Sequence, residues 1–154
     1  MKNTYFLKAA VVSCLLSFPF SGLKAQCNTF VKKKCLPNIQ PFTSNGQMNT
    51  STLSAGQSAT MSLTFYSGQD YRLLICSQDI LGEVTFKVID VNKKVIFDSK
   101  DNNAPDFWDF KVKSTQQFTV EVEVPPSEST NSIVPSGCVS VMVGFKKDEV
   151  MTQK

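Results

Sequence analysis

Asp98, Asp101 and Asp106 fall in one short stretch with Asn102 and Asn103. Their oxygens are the hard ligands that calcium takes, six or more at ~2.4 Å. The loop Asp98-Ser99-Lys100-Asp101-Asn102-Asn103-Ala104-Pro105-Asp106 therefore supplies the candidate metal ligands Asp98, Asp101 and Asp106, with calcium as the one cofactor the composition suggests. It lacks the alternating acids and the closing glutamate of an EF-hand loop. The competing reading is a solvated turn whose Asp and Asn side chains bond to their own backbone. Phe107-Trp108-Asp109-Phe110 follows directly. An aromatic beside acids and amides can stack on a sugar or anchor a protein, so Asp101, Asn102, Asn103, Asp106, Phe107 and Trp108 are the candidate binding residues. Strand alternation sets Trp108 and Phe110 on one face and Phe107 and Asp109 on the other, and the competing reading puts Trp108 and Phe110 in a core.

The chain has no histidine. That removes Ser-His and Cys-His nucleophile pairs, histidine-ligated zinc and imidazole acid–base chemistry. Two carboxylates suffice for a glycosidase, and Asp98, Asp101, Asp106 and Asp109 are available. Among 13 acidic residues, however, such pairs are common, and nothing in the sequence sets one apart. The expectation is no catalytic residue and no enzyme.

The chain opens with Lys2 and Lys8, an apolar run from Ala9 to Leu16, a helix-breaking Ser17-Phe18-Pro19 and the small-residue exit Gly22-Leu23-Lys24-Ala25. This is the layout of a secretory signal peptide, 1–25, with cleavage expected near Ala25. The run is too short to span a bilayer, so no transmembrane segment is expected. Three of the 16 basic residues lie in this leader and none of the 13 acids does, so the secreted form is neutral and offers no basic field for nucleic acid. Lys24 and Gln26 fit a lipidation motif at Cys27 poorly, and the expected product is soluble, in the periplasm or at the cell surface.

Cys14 also belongs to the leader, which leaves Cys27, Cys35, Cys76 and Cys138. An even number in an oxidising compartment reads as two disulfides, of three possible connectivities. Cys76 ends one apolar run and Cys138 opens another, so the expected bonds are Cys76 to Cys138 and, within the N-terminal arm, Cys27 to Cys35.

The elements that must position these residues show a period of two. Ala59, Met61, Leu63 and Phe65 alternate with Ser58, Thr60, Ser62 and Thr64, and Phe118 to Val124 alternates as cleanly. Further strands are expected at Tyr71 to Cys76, Glu83 to Asp90, Val95 to Asp98, Phe107 to Lys113 and Cys138 to Phe145, with a weaker one near Met48 to Leu53. Turn residues separate them. About eight short strands and no clear helix, beyond a turn around Phe30 to Cys35, predict an all-β, two-sheet antiparallel sandwich, jelly-roll-like, with a short N-terminal arm. The expected division is arm 26–46, sandwich 47–146 and a polar tail 147–154. The expected core comprises Leu63, Phe65, Leu73, Ile75, Val84, Phe86, Val88, Phe97, Phe110, Val120, Val122, Val141 and Val143.

Leu53-Ser54-Ala55-Gly56-Gln57, Tyr66-Ser67-Gly68-Gln69-Asp70-Tyr71, Val88-Ile89-Asp90-Val91-Asn92 with Phe97-Asp98, and Phe118-Thr119-Val120-Glu121-Val122 occur in the order seen in the bacterial pre-peptidase C-terminal type of domain. The stretch from Leu53 to Phe145 resembles that secreted sandwich. The mature chain as a whole resembles small stand-alone secreted proteins of Gram-negative bacteria. The resemblance implies fold, and the arm and its cysteines lie outside it. The leading functional reading is a secreted, non-catalytic interaction or accessory module for a protein or cell-surface glycan partner. A calcium-dependent carbohydrate-binding module and a carboxylate-based hydrolase are the alternatives.

Overall fold

A computed structural model of the chain describes residues 22–127 and 133–147. The leader up to residue 21, the centre of the 127–136 loop and the tail beyond 147 lie outside the described residues.

Eight antiparallel strands form two four-stranded sheets. They are β1 (Thr43–Ser54), β2 (Ser58–Phe65), β3 (Gln69–Ser77), β4 (Thr85–Ile89), β5 (Val95–Asp98), β6 (Phe107–Lys111), β7 (Gln116–Glu123) and β8 (Ser136–Lys147). The first sheet has the order β1-β8-β3-β6 and the second β2-β7-β4-β5. The nested pairs β1/β8, β2/β7, β3/β6 and β4/β5 are those of one long hairpin folded over on itself, which is jelly-roll-like wrapping.

The period-two residues of both sheets meet between them. Phe65, Leu73, Ile75, Phe86, Val88, Val120, Val122, Val141 and Val143 are buried there, with Leu63, Phe97, Trp108 and Phe110 packed against them. Burial of this alternating set is the main drive for the fold. Phe65 anchors an aromatic cluster, its ring 5.0 Å from both Tyr71 and Phe110.

The arm is helical. Helix α1 (Gly22–Phe30) crosses the expected cleavage point, then gives way to a π-helical stretch at Val31–Cys35 and a 3-10 turn at Leu36–Ile39. Cys27, Val31, Cys35 and Ile39 recur every fourth residue and are all buried. A repeat of four exceeds the ~3.6 residues of an α-helical turn. Widening to i→i+5 bonding keeps the row aligned on the sheet below it.

That row lies on the outer face of the first sheet, where Val31, Cys35 and Ile39 form a second buried cluster with Leu74 and Met142. The disulfides fasten it there. Cys27 bonds to Cys138 and Cys35 to Cys76, with Cα separations of 5.5 and 5.7 Å, so the expected pairs Cys76 with Cys138 and Cys27 with Cys35 are both wrong. Register explains the first error. Cys76 faces Ser140, and Cys138 lies one step past Val139, the partner of Ser77. The two cysteines are therefore diagonal neighbours ~7–8 Å apart, too far for a disulfide. The second pair is excluded by the helical form of the arm. Eight residues of helix separate Cys27 from Cys35 by roughly 12 Å.

Gly144 makes the arm's close approach possible. A Cβ built there would lie 2.7 Å from the Phe42 side chain and 2.8 Å from that of Ile39.

Candidate functional site

The stretch from Asp98 to Phe110 joins the two sheets, because β5 belongs to the second and β6 to the first. Its turn is built on Ser99, which is fully buried. The Phe86 N–H donates to Ser99 Oγ at 2.9 Å, and Ser99 N–H donates back to the Phe86 carbonyl at 2.9 Å. The Ser99 carbonyl accepts from the Asn102 and Ala104 N–H groups. Asn103 and Ala104 then take left-handed φ values of 61° and 47°, which Asn tolerates and Ala adopts at some cost.

Asp98 accepts from the Lys100 N–H at 3.0 Å and lies 3.7 Å from Lys87 Nζ. Asn102 donates its side-chain amide to the Asp98 carbonyl at 2.7 Å. Lys100 reaches across to Glu123 at 2.7 Å. That bond raises the lysine pKa and lowers the carboxylate pKa, with the neighbouring charge adding to both shifts. Asp101, Asn102, Asn103 and Asp106 are exposed. Among the described residues no three Asp, Glu, Cys or His side chains gather closely enough to hold a metal, and the structure does not bring Asp98, Asp101 and Asp106 together in such a group. Asp98 and Asn102 thus bond to the backbone of their own turn.

The two aromatics of the stretch part company. Trp108 turns inward and stacks between Phe97 and Phe110, at 5.0 and 4.2 Å between centroids. Phe107 turns outward, where the Arg72 guanidinium lies 4.1 Å from its ring centre and 4.9 Å from that of Phe42. Asp109 grips Arg72 with two hydrogen bonds of 2.7 Å, which raise the arginine's pKa further and keep it charged. Arg72 also donates to the Gln40 carbonyl at 2.7 Å. This aromatic and this carboxylate thus tie the arm to β3 and β6. Asp98 stands opposite Lys87 in the second sheet and Asp109 opposite Arg72 in the first.

A concavity lies elsewhere, at the open side of the sandwich between β1 and β2. This groove of about 970 Å³ is lined by Asn45, Gln47, Met48, Asn49, Ser62, Leu63, Thr64, Tyr66, Gln69, Tyr71, Val143 and Phe145. Asn49 stands opposite Val141 in register and so faces the space between the sheets, an amide where the strands behind it place Val141 and Ile75. Asn45 and Gln47 hold each other, the Gln47 N–H donating to Asn45 Oδ1 at 2.9 Å and Asn45 Nδ2 to Gln47 Oε1 at 3.3 Å. Tyr66 is 60% exposed at the rim. Its backbone is fixed by the Tyr71 hydroxyl, which accepts from the Tyr66 N–H at 2.9 Å and donates to the Tyr66 carbonyl at 3.2 Å.

The sequence reading missed this groove. A usable signal was present in Thr43 to Thr52, a strand-length segment that is polar on both faces, so one of its faces could not be closing a core.

Fold and groove together describe a two-sheet antiparallel sandwich with an open, uncharged side. Neither a family model nor a curated protein matches the chain. Among solved structures it is similar to that of Aeromonas hydrophila PliG, a periplasmic lysozyme inhibitor of g-type lysozyme, with a TM-score of 0.47, 12% identity and coverage of 69% of this chain and 89% of that one.

Proposed function

We propose that this chain is a secreted, non-catalytic module that binds a partner in the groove between β1 and β2. The observation that carries the reading is the groove's lining. Amides, hydroxyls and apolar side chains surround it without a carboxylate, amine or guanidinium. Such a surface can recognise a ligand by shape and hydrogen bonds, and it offers no carboxylate, imidazole or amine for acid–base chemistry. A pre-fixed, exposed Tyr66 is the kind of rigid aromatic on which binding energy concentrates. The likeness to the pre-peptidase C-terminal domain concerns fold and adds nothing to this reading.

The address follows from the cysteines. Two disulfides support folding in an oxidising compartment, secreted or periplasmic. With its sulfur bonded to Cys138, Cys27 has no thiol to carry an acyl chain, which supports release of the chain after cleavage near Ala25. Among the described residues no helix is long and apolar enough to cross a membrane.

The test compares two sites. The disulfide-bonded protein is used to recover partners from the secreted fraction of its native cells, beside Tyr66→Ala/Asn49→Ala and Asp101→Ala/Asp106→Ala variants. Recovery should fall at least tenfold for the groove variant and hold for the loop variant. The opposite pattern would move the site to the 98–110 stretch.

A further inference from the structure

Each sheet ends in two edge strands, and three of these four carry a device that discourages addition of another strand. β5 is only 4 residues long and ends on Asp98. β6 has 5 residues and carries Asp109 and Lys111. β1 breaks register between Ser44 and Met48. β2 has none of these protections. Its 8 residues contain no charge, proline or glycine and pair with β7 without a shift.

The core is also uncovered along β2. Phe118, Val120 and Val122 of β7 are buried, whereas the inward-facing Ala59, Met61 and Leu63 of β2 are only half-buried. A strand laid beside β2 would satisfy its free backbone groups and cover these side chains at once. Alternate residues of that strand would enter the groove over Leu63, Val143 and Phe145, opposite the amides of β1.

We propose that the groove takes an extended, uncharged peptide segment of a partner protein, added as a strand to the free edge of β2. The proposal rests on the groove being the binding site and specifies its ligand class. The absence of charge in the lining selects the chemistry, because a charged side chain would be desolvated there with no counter-charge. The strand's length sets the reach at about 26 Å, or eight residues.

The test is selection of binders from a random ten-residue peptide library on the full, disulfide-bonded protein, followed by hydrogen exchange with the best peptide bound. Strand addition predicts peptides of alternating apolar and uncharged polar residues. It also predicts new protection at every second amide of Ser58–Phe65, and at least tenfold weaker binding to Leu63→Lys. Exchange on the parent protein needs no variant, so the result stands even where Leu63→Lys folds poorly. Failure to select peptides, or protection confined to another edge, overturns the proposal. Peptides that depend on Tyr66 and Asn49 but leave β2 amides unprotected overturn strand addition and leave the groove reading intact. Peptides indifferent to the groove residues overturn both. Concentration-dependent dimerisation with the same β2 protection, without peptide, would make a second copy the occupant and also overturn the proposal.

Discussion

The two sheets share one core, but their outer faces are opposites. Outside the first sheet, Leu74 and Met142 lie beneath Val31, Cys35 and Ile39 of the arm, and two disulfides hold that cover in place. Outside the second sheet the rows read Ser62 and Thr119 beside Ile89, then Thr60, Glu121, Lys87 and Asp98, all in register. That face needs no cover. Its hydroxyls and charges remain hydrated, whereas exposed Leu74 and Met142 would form an apolar patch on a secreted protein. The second sheet is therefore one of two layers, with a single buried face. The first is the middle of three.

Removing the cover is the most severe way to break this comparison. Replacing Cys35 and Cys76 with Ala, or Cys27 with Cys138, deletes a cross-link between residues 41 or 111 positions apart. Chain-entropy arguments put the loss at roughly 4–5 kcal/mol for each bond. Urea denaturation should show it as a lower midpoint, and a hydrophobic dye should bind the first sheet once the arm lifts. If the double variants lose less than about 1 kcal/mol and bind no dye, the arm is an ornament and the two faces are not as different as their residues indicate.

A gentler change sharpens the same contrast. Gly144→Ala puts a methyl group within 2.7 Å of Phe42 and 2.8 Å of Ile39, and the arm must shift to admit it. Overpacking of this kind costs about 1–3 kcal/mol. Thr60→Ala, on the open face, should stay within about 0.5 kcal/mol of the parent. Thermal melts of the two variants side by side would settle the comparison, and equal shifts would contradict it.

Much of the sandwich was legible because alternation is a local property. Ser58–Phe65 and Val95–Asp98 have the bounds the pattern predicts, and the expected core residues lie in or against the core. What lies on a face is not local. Leu73-Leu74-Ile75-Cys76 and Val141-Met142-Val143 are continuous apolar runs in adjacent strands, the mark of a strand covered on both sides. Read together with the fourfold spacing of Cys27, Val31, Cys35 and Ile39, they would have indicated the arm as the cover and its cysteines as the partners of Cys76 and Cys138, a combination that the pairing of Cys76 with Cys138 overlooked. In the 98–110 stretch the sequence leaves two uses open for a related reason. Asp and Asn side chains that cap their own turn have the same composition as ligands, and only hydrogen-bond geometry distinguishes the two uses.

The smallest expected effect concerns the open face itself. The Lys100 ammonium, 2.7 Å from Glu123, lowers that carboxylate's pKa, chiefly through the hydrogen bond and then through its charge. A depressed carboxylate favours the folded state above the ordinary glutamate pKa, and the contribution fades as pH falls through the folded-state value. Both partners are about half exposed, so water and salt screen the pair. An NMR titration should place the Glu123 midpoint below that of an unpaired glutamate, and Lys100→Gln should return it upward. The melting temperature at pH 7 should barely change. A loss from Lys100→Gln as large as that from Gly144→Ala would mean that this face is held together as tightly as the covered one. The contrast would then rest on composition alone.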